Sequence, residues 1–126
     1  MLRAGRYDIP LDSGRVLEFT GKVWADDAKT TPFDFSGFDP IFLIGSDSVV
    51  RWALSDSASQ YGVVTLGGAS GEFSVRVEAD VTALINRPVF SYNFNVDDGN
   101  GPYGVLSGGF VCIDSGVGAG AGVLPS

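Results

Sequence analysis

The run Asp97-Asp98-Gly99-Asn100-Gly101 gathers oxygen-bearing side chains in the manner of a cation loop. An EF-hand loop sets such ligands at alternate positions and closes with a distal Glu. Asp98 and Asn100 keep that spacing, but Pro102 follows where a third ligand would stand. Asp-Gly and Asn-Gly are strong hairpin signals, so the run is read as a turn. Fifteen Asp and Glu supply carboxylates that could run glycoside hydrolysis if two were held at the right separation. Most fall in turns or on polar strand faces. The chain has no histidine, which removes Ser-His-Asp and Cys-His catalysis. A zinc site needs several Cys or His ligands, and Cys112 stands alone. Cys112 is in phase with Leu106 and Phe110 and reads as a core residue. The tail glycines are no dinucleotide fingerprint, since Ala121 occupies the third glycine position and no helix follows. No catalytic residue, cofactor or metal site is expected, and the protein is read as not an enzyme.

The 126 residues make one domain, large enough to fold without a staple. A 44% hydrophobic content excludes a disordered chain. The net charge of −7, with Lys and Arg scattered singly, argues against nucleic-acid binding. One cysteine forms no intrachain disulfide, which fits synthesis in a reducing cytoplasm. Arg3 and Arg6 lead into Tyr7-Asp8, so no secretory signal is expected. No apolar run is long enough for a membrane span, and no membrane partner is expected.

The dominant period is two. Leu17, Phe19, Gly21 and Val23 share a face in 15–24, and Phe73, Val75 and Val77 share one in 72–78. Phe90, Tyr92, Phe94 and Val96 do the same. In 48–54 the alternation puts Val50, Trp52 and Leu54 inward. Further strands are expected over 40–45, 61–66 and 103–113, the unbroken apolar run Ile41–Ile44 suggesting a strand covered on both faces. Turn chemistry fills 26–29, 67–71 and 97–102. Asp80 is read as the N-cap of one helical turn crossing between sheets, ended by Pro88. The pattern predicts an all-β fold: an antiparallel immunoglobulin-like β-sandwich of about seven or eight strands with one short helical turn.

The stretch Phe33-Asp34-Phe35-Ser36-Gly37-Phe38 reads as a corner of that sandwich, with Phe33, Phe35 and Phe38 packing it. The expected organisation is an N-terminal arm over 1–7, the sandwich over 8–114, and a Gly/Ala-rich C-terminal arm over 115–126. Gly-rich chain loses much entropy on ordering and has little to bury, so this arm needs a neighbour to hold it. Leu2, Arg3, Arg6, Tyr7, Val117, Val123, Leu124 and Pro125 are the candidate subunit contacts. Trp24 and Tyr103 fall out of phase or at strand ends and are candidate exposed aromatics, which could form a sugar platform.

The order of segments carries a resemblance. An extended Asp8–Leu11 precedes the Leu17/Phe19 strand and the Trp24-Ala25-Asp26-Asp27 turn. Asp34-Phe35-Ser36-Gly37-Phe38 then stands where D-L-T-G-Y is expected, and Glu78–Leu84 near an S-x-E-x-T-x-x-L position. This resembles the small tailed-phage virion domain at the N-terminus of upper-baseplate proteins, over most of 8–114. The resemblance implies a non-enzymatic structural protein of a tailed bacteriophage particle, made in the host cytoplasm and located in the virion. Its partners would be other virion proteins, capsid or tail subunits, and further copies of itself as a homo-oligomer. A helical or fibrous extension beyond the last strand is not expected, which sets a capsid cement protein beside a tail, baseplate or neck adaptor. The alternative is a carbohydrate-binding or host-adhesion module.

Overall fold

A computed structural model describes residues 5–47, 49–85 and 89–112, with only the backbone of Cys112. Strands are β1 (Gly5–Arg6), β2 (Ile9–Leu11), β3 (Leu17–Lys22), β4 (Asp39–Ser46), β5 (Val49–Leu54), β6 (Gly62–Leu66), β7 (Glu72–Val77), β8 (Phe90–Asp97) and β9 (Pro102–Cys112). One helical turn, α1 (Ala79–Thr82), carries the chain from β7 to β8. One sheet runs β1-β9-β8-β4-β5, with β2 also on β9; the other runs β3-β7-β6. Lettered as in immunoglobulin domains, these are the G-F-C-C′ and B-E-D sheets of a variable-type sandwich. The expected sandwich is present, and α1 crosses between its sheets as expected.

Alternation decides which side chains fill the space between the sheets. Phe42, Ile44, Tyr92, Phe94 and Val96 enter from one sheet; Val64, Phe73, Val75 and Val77 from the other. Aromatic packing replaces the missing inter-sheet disulfide. Phe73 meets Phe94 with ring centroids 4.9 Å apart, and Phe42 stacks on Tyr92 at 5.1 Å. The corner is built as read: Phe35 is buried, Phe33 packs edge-on against it at 5.0 Å, and Phe38 N–H closes the turn onto Phe35 O. Gly37 takes φ 83°, open to glycine at little cost.

Four expectations are corrected. Val50 is exposed, not inward: a bulge pairs Ile44 with Trp52 but Gly45 with Val50, so the phase of β5 flips at Arg51. Trp52 is only half-buried, stacked on Phe90. The run Ile41–Ile44 is covered on one face, with Ile41 exposed on the other. Asp80 does not cap α1; Glu78 holds the N-cap position without a side-chain cap bond. Thr82 fixes the turn instead. It is fully buried, donates to Arg15 O at 2.8 Å and accepts from Gly14 N–H at 3.1 Å. Pro88, Ile113 and the side chain of Cys112 lie outside the described residues.

The N-terminal segment departs from an all-antiparallel plan. Gly5 and Arg6, placed in the arm by sequence, form β1, and β1 and β2 both lie parallel to β9. Gly5 pairs with Leu106 and Ile9 with Phe110, so one register runs through both. Between them Tyr7 and Asp8 make a strap. Tyr7 N–H donates to Ser107 O, and Gly109 N–H donates to Asp8 Oδ1 at 2.9 Å. Tyr92 Oη donates to Tyr7 O at 2.6 Å. Burial, with the nearby Asp8 charge, raises the Tyr92 phenol well above its usual range, so it stays a donor. The strap lies so close that a Cβ on Gly108 would sit 2.2 Å from Tyr7 O. Tyr92→Phe is expected to cost about 1 kcal/mol. Hydrogen exchange should show lost protection along β1, β2 and β9, with β6 and β7 unchanged.

Candidate functional site

Strand β3 is an edge of its sheet. Among the described residues it pairs only with β7, so its other edge keeps backbone groups available for a partner strand. That edge faces β1 and β2 across the open side of the sandwich. Tyr7 bridges the opening by stacking on Phe19, with centroids 5.5 Å apart and planes 9° from parallel. The stack divides the seam into two hollows. One, about 590 Å³, lies toward Gly21, Trp24 and Leu106. The other, about 410 Å³, lies toward Ile9, Pro10 and Leu17.

The first hollow is apolar with a basic rim. Lys22 and Lys29 line it and no carboxylate does, in a chain of net charge −7. Lys22 Nζ stands 4.6 Å from the centre of the Trp24 ring, a cation–π contact that occupies one ring face. Lys29 is placed by the turn that joins Trp24 to Pro32. There Asp26 accepts from Thr30 N–H at 2.9 Å and from the Thr30 hydroxyl. These bonds, the Thr30 side chain foremost, lower the Asp26 carboxyl below its ordinary value.

Of the candidate contacts, Tyr7 lies in the seam, while Arg6 is exposed and pairs with Asp8 at 3.6 Å. Leu2, Arg3, Val117, Val123, Leu124 and Pro125 fall outside the described residues. Trp24 and Tyr103 are not brought together. Trp24 is half-buried in the seam; Tyr103 is exposed and packs edge-on against Phe38 at 6.2 Å. They do not share one platform. Asp97 and Asp98 accept from Gly99 and Asn100 N–H groups within their own turn. Among the described residues no group of three or more His, Cys, Asp or Glu stands together as a metal site.

Sequence reasoning missed Phe19, Lys22 and Lys29 as seam residues. Phe19 was in phase with the core, and alternation cannot say which strand lies at an edge. No protein-family model matches the chain, and no curated protein is significantly similar to it.

Proposed function

We propose that the chain is a non-enzymatic structural component of a tailed-phage particle, holding neighbouring virion subunits through its sheet edges and terminal arms. The observation that supports the binding role is the edge of β3, unpaired among the described residues, above a seam whose larger hollow is apolar. A strand edge of this kind gains main-chain hydrogen bonds from any extended segment laid beside it. The placement in a phage particle rests on the resemblance at Asp34–Phe38 and Glu78–Leu84. A tail, baseplate or neck adaptor and a capsid cement protein are both compatible with this reading, and copy number per particle separates them.

Deletion of residues 116–126 tests the role. The truncated chain should unfold with the cooperativity of the full chain yet be lost from purified particles, as read by mass spectrometry. Incorporation at the level of the full chain would sink the use of the tail as a staple.

A further inference from the structure

The seam along β3 has a matching segment in the same sequence. From Gly116 to Val123 the chain alternates strictly: Val117, Ala119, Ala121 and Val123 on one face, Gly116, Gly118, Gly120 and Gly122 on the other. That is a strand pattern of period two, with small apolar side chains on one side only. It carries no charge, so it meets no like charge at either hollow, one lined by Lys22 and Lys29 and the other by Asp12 and Glu18 beside its apolar residues.

Size and direction fit as well. Val117 to Val123 spans about 20 Å as a strand, the distance from Leu17 to Val23. Set antiparallel with Gly120 beside Thr20, the segment puts Val123 at Leu17, Ala121 at Phe19, Ala119 at Gly21 and Val117 at Val23. The two valines then meet the two hollows, and the alanines pass the Tyr7–Phe19 stack that fills the middle. The glycines lie outward with Glu18, Thr20 and Lys22, all exposed.

We propose that residues 117–123 of one copy add antiparallel to the free edge of β3 in a second copy. This rests on the assembly role proposed above and names its partner. The direction requires a second copy. The Leu17 end of β3 lies beside Ile9 and the Lys22 end beside Gly5 and Leu106, so β3 runs against β9. β9 ends at Cys112, opposite Leu11 and so at the Leu17 end. To reach Val23 of its own chain, Val117 would have to return about 20 Å along β3 and cross sheets about 10 Å apart. The five steps from Cys112 to Val117 extend at most about 17 Å. Within one chain the arm enters β3 only in the parallel sense, the weaker ladder. The segment from a neighbour enters antiparallel, like every other pair in that sheet.

Disulfide trapping on full-length chains tests this. Thr20→Cys and Gly120→Cys are made in separate chains of different tag size, mixed and oxidised. The wild-type chain, with Cys112 alone, sets the baseline. A mixed dimer should form severalfold above that baseline and above the pair Asn93→Cys with Gly120→Cys, since Asn93 lies on the other sheet. Glu18→Cys with Gly122→Cys, two residues along in the same register, should repeat the result and covers a folding failure of the first pair. The double variant Thr20→Cys/Gly120→Cys should give a ladder of linked copies. Closure of that double variant into linked monomers would overturn the proposal in favour of self-docking. Yields from both β3 pairs no higher than from Asn93→Cys would overturn it outright. Recovery of the chain in particles alongside either negative result leaves the assembly role standing and removes only this partner.

Discussion

Phe35→Asp is expected to leave no cooperative unfolding transition and no fixed aromatic signal in near-ultraviolet circular dichroism. Phe35 is 2% exposed, holds the corner between β3 and β4, and meets Phe33 at 5.0 Å. Truncating a buried Phe costs about 3–5 kcal/mol. Placing a carboxyl there, charged or protonated, adds a desolvation cost of roughly 2 kcal/mol or more. Domains of this size have only about 5–15 kcal/mol in hand. Phe35→Leu keeps the apolar character and should cost only about 1–2 kcal/mol, remaining folded. A folded Phe35→Asp chain would show that the corner is peripheral to the fold.

Phe94→Ala should be nearly as severe while leaving a measurable transition. Phe94 has no exposed surface and joins the sheets, its ring 4.9 Å from Phe73 and 6.1 Å from Phe42. Removing it opens a cavity between two rings fixed by their own strands, so little collapse can refill it. The expected loss is about 3–5 kcal/mol in urea denaturation, or on the order of 10–20 °C in melting temperature. A loss near 1 kcal/mol would mean that the aromatic column between the sheets is not what replaces a disulfide.

Alternation was enough to place Phe73, Val75, Val77, Tyr92, Phe94 and Val96 in the core, because each of those strands has one buried face and the one register shift along them, at Phe94/Asn95, puts its extra residue, Val105, on β9 and leaves the phase of β8 intact. It failed at Val50, where one extra residue flips the phase, and at Ile41, where an apolar residue stands on an open face. Neither signal is local: a bulge is a property of two strands, and coverage of a face depends on what packs there. The same reason hid the seam. Lys22 and Phe19 read as an ordinary polar and core pair until the partnering of β3 was known. The cap of α1 was misread because Asp80 has the residue type, whereas Thr82 has the partners, Arg15 O and Gly14 N–H, contributed from a turn almost seventy residues earlier.

The strap over Gly108 also sets the order of events when the chain folds. The bond between Asp8 and Gly109 joins residues 101 apart in sequence, close to the largest separation the described chain offers. Contacts of this range are slow to find, because the loop entropy must be lost before the contact gives anything back. On the ribosome the first strands emerge long before β9, their only partner strand among the described residues, has been made. The β3-β7-β6 sheet can form in the meantime, but the sandwich closes only once the last strand is released. An edge left waiting through synthesis is exposed to pairing with other chains. The same lateness means that the closed domain, and any partner that reads it, is presented only by a chain synthesised at least through β9.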